Sequence, residues 1–100
     1  MSSPIRVTVA KDLEDLIPTF LKNRAQELTA LGAALAGGEF EQLRQIGHRM
    51  KGVGNSYGFE LVSLLGRQIE DAARTGDREV IAKAVADYTD YLARVKVVYE

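Results

Sequence analysis

The residues whose types and spacing most clearly suggest a chemical role are His48, Lys51 and Gly52, which lie within five positions of one another. His48 is the only histidine in the chain. A neutral imidazole is a competent nucleophile at cellular pH, because the unperturbed histidine pKa is about 6.5. Lys51 follows about one helical turn later and can place a positive charge beside the imidazole. These residues therefore predict a nucleophile with a nearby cation, provided that the helix carrying them turns His48 toward solvent.

The helix that carries His48 is predicted over about residues 39–57, and its apolar side chains define one face. With Leu43 at the origin and a step of about 100° per residue, one broad sector must face the core. That sector contains Phe40, Leu43, Ile46, Gly47, Met50, Val53, Gly54 and Tyr57. His48 lies nearly opposite the centre of this sector, with Arg44, Lys51 and Asn55 beside it. The pattern predicts that His48 projects into water on a polar stripe with two cations.

Three glycines in this helix differ in what they indicate. A glycine inside a helix costs about 1 kcal/mol of stability relative to alanine. Gly47 and Gly54 fall on the buried sector, where close packing of another helix is a sufficient reason for them. Gly52 falls on the solvent side, where no packing partner requires it. We interpret Gly52 as leaving space beside His48.

The rest of the chain also has helical periodicity, interrupted by prolines and glycines. Residues 5–9 alternate and are β-branched, but no partner strand is recognisable, so we predict residues 1–11 to be an extended lead-in. Asp12 is a predicted N-cap, and Pro18 is expected to kink or split the segment that follows. The first long helix then ends at Gly37 and Gly38.

Two further helices complete the prediction. The third helix runs from about residue 59 or 60 to 75, with the apolar set Leu61, Leu64, Leu65, Ile69, Ala72 and Ala73. Gly76 is its predicted left-handed C-cap, and Asp77 is the N-cap of a last helix that ends near Tyr99. Short connections favour antiparallel neighbours. The prediction is one all-α domain over residues 1–100, an antiparallel up-down four-helix bundle with a short N-terminal helix or lid before Pro18.

Composition excludes several classes of protein. Lys and Arg total 13 against 14 for Asp and Glu in 100 residues, so a general nucleic-acid binder is not expected. The absence of cysteine excludes disulfides and thiolate metal sites. No run approaches the roughly 18 apolar residues of a membrane span, and the first residues are too polar for a signal peptide. We expect a cytoplasmic monomer with no membrane contact.

The sequence from His48 to Phe59 resembles the histidine-containing phosphotransfer (HPt) domain of multistep phosphorelays. It contains His-x-x-Lys-Gly, then Gly58 ten residues after the histidine, and then a new amphipathic helix. The similarity covers about residues 12–75 and also includes Phe20, Leu21, Leu28, Leu31, Leu35, Gly37, Gly38, Glu39, Phe40, Leu61, Leu64, Leu65, Ile69 and Glu70. Two features depart from the family. Gly47 replaces the usual alanine before the histidine, and residues 53–56 differ from the small residues that often follow Lys-Gly.

The resemblance implies that His48 accepts a phosphoryl group from the aspartyl phosphate of one receiver domain and passes it to another. Lys51 would neutralise phosphoryl oxygens, and Gly52 would keep the approach open. Glu70 stands twenty-two residues after His48, where the family often has a Gln or Glu that orients the imidazole. A solvated surface carboxylate is an equally acceptable interpretation of Glu70. Arg44 and Asn55 are predicted to face the partner.

The expected partners are receiver domains of response regulators or of hybrid histidine kinases. We expect no cofactor and no metal ligands in this chain, with Mg²⁺ and its carboxylates supplied by the receiver. No nucleotide-binding pattern is present, so kinase activity of its own is not expected. Two alternatives remain. A helical adaptor would use the same bundle without phosphoryl transfer, and a metal-binding bundle would normally offer several inward histidines and carboxylates.

Overall fold

Four helices form most of the structure, which is a computed structural model describing residues 3–100. The helices are α1 (Ile17–Gly37), α2 (Phe40–Ser56), α3 (Glu60–Thr75) and α4 (Arg78–Arg94). A 3₁₀ helix, Lys11–Leu16, precedes α1, and two short strands, β1 (Ile5–Val9) and β2 (Val95–Tyr99), lie near the two ends of the chain. The prediction of a predominantly helical fold with four main helices is confirmed. The antiparallel order of the helices stays a prediction.

Glycines end two of the helices, as their positions in the sequence predict. Gly38 and Gly76 have φ angles of 66° and 69°, in the left-handed region that glycine adopts without strain. The Asp77 side chain accepts a hydrogen bond from the Val80 N–H and begins α4. The predicted Gly76 and Asp77 caps are therefore confirmed, and both turns have the short length that brings consecutive helices side by side.

Pro18 divides the N-terminal segment, but Asp12 does not begin a helix. Pro18 lies in the first turn of α1, where its missing N–H would have had no helical partner. The 3₁₀ helix before it has Ala10 as its N-cap and no side-chain cap hydrogen bond, so the prediction for Asp12 is wrong. A short helix does precede Pro18, whereas its action as a lid stays a prediction.

The strands correct two predictions. Residues 1 and 2 of the predicted lead-in lie outside the described residues. Within the rest, β1 is not isolated, because it pairs with β2 in parallel, from Ile5 opposite Val95 to Val9 opposite Tyr99. The last helix ends at Arg94 rather than near Tyr99, because Val95 adopts an extended conformation with ψ 134°. Val95, Val97 and Val98 are β-branched and favour a strand once a partner is present.

The core lies between the helices and is apolar apart from two residues. Its buried apolar members are Val9, Ile17, Phe20, Leu31, Ala34, Leu43, Ile46, Met50, Phe59, Val62, Leu65, Ile69, Ala72, Ala73, Ile81, Ala84, Tyr88 and Tyr91. The two polar residues are Ser63 and Glu70, both on α3. Within residues 3–100, no helix is both long enough and apolar enough to cross a bilayer.

Candidate functional site

His48 lies on the outer face of α2, as the helical pattern predicts. Its side chain is 65% exposed. The buried residues of α2 are Leu43, Ile46, Gly47, Met50 and Gly54, all within the predicted core sector. The hydrophobic packing of that sector therefore orients the imidazole toward solvent.

Small residues let α2 and α3 approach so closely that their backbones touch. A Cβ atom on Gly47 would lie 2.7 Å from both the Gly66 carbonyl oxygen and the Glu70 nitrogen. A Cβ atom on Gly66 would lie 2.6 Å from the Lys51 nitrogen. Both distances are shorter than carbon atoms tolerate, which explains why glycine replaces the usual alanine at position 47. The close approach brings Glu70 of α3 directly beneath the outer face of α2.

Glu70 is buried and joins three basic side chains. Its Oε2 lies 2.8 Å from Nδ1 of His48 and 3.3 Å from Nη2 of Arg74. Its Oε1 lies 2.9 Å from Nζ of Lys51. The Glu70 side chain is only 2% exposed, so the alternative of a solvated surface carboxylate is wrong. One carboxylate thus links the histidine and the lysine that the sequence singles out.

These contacts determine which imidazole nitrogen carries hydrogen. The Lys51 ammonium, with a smaller contribution from the His48 imidazole, holds the pKa of Glu70 below its ordinary value despite the opposing effect of burial. An ionised carboxylate only accepts hydrogen bonds, so Nδ1 of His48 must donate to it. In the neutral imidazole, the lone pair available for attack is therefore on Nε2.

Space remains open beside this pair of residues. Gly52 is exposed, and a Cβ atom built on it would meet nothing within 4 Å. The prediction that Gly52 is not required by packing is confirmed, whereas its role in access to His48 stays a prediction. Lys51 is exposed at 45% of its side chain, so its ammonium group can reach an anion bound on the solvent side.

Arg44 and Asn55 occupy different surroundings from the Glu70 cluster. Arg44 donates two hydrogen bonds to Glu41, from Nε at 3.0 Å and from Nη2 at 2.6 Å, so its charge is largely committed to that carboxylate. The Asn55 backbone N–H donates to Oγ of Ser63 at 2.8 Å, while the residue itself is exposed. Their contact with a partner protein stays a prediction.

A cleft of about 350 Å³ adjoins Lys51 between α2 and α3. It is lined by Lys51, Asn55, Glu60, Ser63, Leu64 and Arg67. Leu64 is 56% exposed and Leu61 is 37% exposed, so these two members of the predicted apolar set of α3 lie at the surface. Val62 is buried in their place, because α2 approaches α3 on the side marked by Ser63 and Gly66.

Sequence reasoning missed three residues near the site: Gly66, Arg67 and Arg74. Arg74 follows Glu70 by one helical turn, so the i, i+4 spacing could have indicated an ion pair. Gly66 precedes Glu70 by the same interval and could have indicated a close helix contact. Arg67 carries no comparable signal. In residues 3–100 no group of three His, Asp or Glu side chains is placed to hold a metal ion.

Comparison with known proteins agrees with this geometry. The Hpt domain family matches residues 15–97, which is most of the chain. The chain belongs to the Hpt domain family, whose members carry out histidine phosphotransfer in two-component phosphorelays. Searches of curated proteins and of solved structures returned no match.

Proposed function

We propose that this chain is a phosphorelay intermediate that carries a phosphoryl group on Nε2 of His48 between two receiver domains. One observation carries the proposal: the His48 imidazole is bound at Nδ1 by the buried Glu70 carboxylate, while 65% of its side chain is exposed. Such a ring is held in one tautomer and is still accessible to a partner as large as a protein domain. A histidine free of this carboxylate would rotate and exchange its tautomers.

The step requires no leaving group or proton from this chain. The Nε2 lone pair attacks the phosphorus of an aspartyl phosphate, forming an N–P bond as the bond from phosphorus to the aspartate oxygen breaks. The receiver recovers its carboxylate, and His48 becomes a phosphoimidazolium with Nδ1–H still bonded to Glu70. Transfer to the second receiver reverses these changes. Phosphoryl transfer depends mainly on in-line positioning and charge neutralisation, which such an arrangement supplies.

Glu70 and Lys51 have separate electrostatic roles in this proposal. The neutral imidazole ring gains a positive charge on phosphorylation, and the Glu70 carboxylate at 2.8 Å from Nδ1 stabilises that charge. Lys51 lies on the other carboxylate oxygen and is partly exposed, so it can also contact the phosphoryl oxygens. Mg²⁺ and the remaining carboxylates would come from the receiver. The chain itself would bind no ATP and would not phosphorylate itself.

The cleft next to Lys51 supports receiver docking at this face. Leu64 offers an exposed apolar contact, and Arg67 and Lys51 offer positive charge at its border. A receiver presents acidic groups around its phosphorylated aspartate, so the two surfaces are complementary in charge. Arg44 and Asn55 would lie at the edge of the contact. We expect the chain to act as a monomer in the cytoplasm, in keeping with its lack of cysteine.

Label transfer from a phosphorylated receiver tests the proposal. Purified chain should acquire an acid-labile, base-stable phosphoryl group, and His48→Ala should acquire none. Arg49→Ala, which removes an exposed side chain next to His48 in the sequence, is the matched control and should be labelled normally. Labelling of His48→Ala with the same stability profile would overturn the proposal. Receiver binding by both proteins without any label transfer would instead favour a helical adaptor.

NMR of the imidazole nitrogens tests the role of Glu70. The native chain should show one dominant tautomer with hydrogen on Nδ1, and Glu70→Ala should show a mixture. Lys51→Ala should keep the tautomer but slow transfer or shorten the lifetime of the phosphohistidine, by a modest factor because Lys51 is partly exposed. Identical tautomer populations in the native chain and in Glu70→Ala would remove Glu70 from the site.

A further inference from the structure

A second cleft, of about 240 Å³, lies between the N-terminal half of α1 and the C-terminal half of α2. It is lined by Leu16, Thr19, Phe20, Asn23, Arg24, Val53 and Tyr57. None of these residues takes part in the contacts of His48 and Glu70. Val53 of α2 and Tyr57, which caps the end of this helix, belong to the predicted core-facing sector, whereas His48 lies on the opposite side of α2.

Among the described residues that line this cleft, Arg24 alone is charged, and its guanidinium lies between Phe20 and Glu27. Its side chain is 11% exposed. The guanidinium carbon lies 4.8 Å from the centre of the Phe20 ring, and Nε lies 3.1 Å from Oε1 of Glu27. Glu27 is held in turn by the Tyr88 hydroxyl, which donates to the same oxygen at 2.9 Å. The guanidinium is therefore confined between Phe20 and Glu27 before any ligand binds.

The cleft retains unused hydrogen-bonding capacity. Within residues 3–100, Arg24 contacts Glu27 through Nε and Phe20 through its flat face, which leaves the edge formed by its two Nη atoms. This edge presents two parallel N–H groups, the geometry that matches a carboxylate in a bidentate contact. Thr19, Asn23 and Tyr57 add two hydroxyls and an amide around the same space.

The charge and shape of the cleft select the class of ligand. A single guanidinium, partly neutralised by Glu27, favours a monoanion over a dianion such as phosphate. Half-buried Tyr57 offers an aromatic wall, backed by the buried Phe20 ring whose centre lies 4.6 Å away, and Val53 and Leu16 add apolar surface. A flat apolar body can pack against this wall while its acidic group reaches Arg24. We infer that this cleft is a binding site for small aromatic carboxylates, separate from the phosphoryl-transfer site.

Titration of the isotope-labelled full chain with benzoate tests this inference, with benzamide as the neutral control of the same shape. Benzoate should produce saturable amide shifts at Arg24, Val53 and Tyr57. Benzamide should bind at least about tenfold more weakly, because it forms no charge-assisted contact with the guanidinium. Equal binding of the two compounds, or an absence of saturable shifts with benzoate, would overturn the inference.

Two exposed amides on α1 provide a variant and its matched control. Asn23 lines the cleft and Gln26 does not, although both are exposed on the same helix. Asn23→Phe should obstruct the cleft and weaken benzoate binding by at least about tenfold, whereas Gln26→Phe should leave it unchanged. His48→Ala should also bind benzoate normally, which keeps this test independent of the proposed phosphoryl transfer. Shifts that move to Lys51 and Arg67 would place the anion in the other cleft and contradict the assignment.

Discussion

Glu70 and Glu27 are two poorly exposed glutamates with similar partners and opposite acid–base behaviour. Their side chains are 2% and 8% exposed, respectively. Each contacts an arginine and a ring that donates a hydrogen bond, His48 for Glu70 and Tyr88 for Glu27. The pKa of Glu70 is lowered, while the pKa of Glu27 is raised. Burial alone therefore does not determine whether a carboxylate is poised to support chemistry.

The balance between burial and neighbouring cations differs at the two carboxylates. At Glu70, Lys51 contributes the largest effect and outweighs burial, with His48 adding to it. At Glu27, burial is the largest effect and exceeds the opposing contributions of Arg24 and Tyr88. Burial also raises the pKa of Tyr88, so its phenol stays protonated and continues to donate. The first cluster leaves an exposed imidazole, whereas the second links α1 to α4.

The two regions also differ in how their helices meet. At α2 and α3, glycines bring backbone against backbone, so the separation of the helices is set by atoms that cannot rotate away. At α1 and α4, the polar link is a hydrogen bond between two long side chains, from Tyr88 to Glu27. The geometry of the functional site therefore depends on small residues more than on its polar contacts.

The largest loss of stability is expected from Gly66→Ala. Its new Cβ atom would lie 2.6 Å from the Gly47 carbonyl oxygen and from the Lys51 nitrogen, so α2 and α3 must separate. We expect the free energy of unfolding to fall by about 1–3 kcal/mol, measured by urea denaturation. Gly32→Ala is the control, because its Cβ would meet nothing within 4 Å and the helix should be stabilised instead. A native-like stability for Gly66→Ala would show that the close approach is not required.

A smaller loss of stability is expected from Tyr88→Phe, which changes the cluster around Glu27. The substitution removes the hydrogen bond to Glu27, whose Oε1 keeps its contact with Arg24, at a cost of about 0.5–1.5 kcal/mol in the free energy of unfolding. Phosphoryl transfer should proceed at the native rate. Tyr91→Phe is the matched control, since burial is the only cause of the rise in its pKa to about 12 and no acceptor is lost. Slower transfer in Tyr88→Phe would show that the two clusters are coupled.

The pH dependence of stability should separate the two glutamates by sign. The pKa of folded Glu70 lies below 4.5, so its contribution is present above about pH 4.5 and is lost as the pH falls through the folded value. The pKa of folded Glu27 lies above 4.5, so the fold gains stability as the pH falls through that value. Urea denaturation of the native chain, Glu70→Gln and Glu27→Gln over this range measures both.

Subtracting the free energy of unfolding of each variant from that of the native chain isolates the contribution of the replaced glutamate. The native advantage over Glu70→Gln should shrink as the solution becomes acidic, whereas the difference from Glu27→Gln should move in favour of the native chain. If both differences changed in the same direction as the pH falls, the two glutamates would not have opposite pKa shifts.

The smallest change in stability is expected from Gly52→Gln, and its sign is opposite. An exposed glycine inside a helix is replaced by a better helix former, which should raise the free energy of unfolding by about 0.5–1 kcal/mol. Side chains lean toward the helix N-terminus, so the new side chain would cover His48 and slow phosphoryl transfer. Gly32→Gln should be stabilised similarly and transfer normally. Native transfer kinetics in Gly52→Gln would show that this glycine is not kept for access.

The sequence by itself determined the features that depend on local pattern. The helical period oriented His48 outward, and Gly38, Gly76 and Asp77 marked helix ends, because caps and amphipathic faces are encoded within a few residues. Membership of the Hpt family was likewise predictable from His48, Lys51 and the helices around them. These signals require no knowledge of which distant segments meet.

Only the tertiary structure decided what depends on contacts between distant segments. The pairing of β1 with β2 joins residues ninety positions apart, so neither strand carried a recognisable partner in the sequence. The sequence pattern also left Glu70 as either a solvated carboxylate or a residue that orients the imidazole, and it placed Leu64 in the apolar set of α3. The structure buries the Glu70 side chain and exposes Leu64. Both outcomes follow from where α2 meets α3. That position is set by backbone contacts at Gly47 and Gly66. The periodicity of one helix contains no information about where a neighbouring helix contacts it, so the sequence pattern could not predict this position.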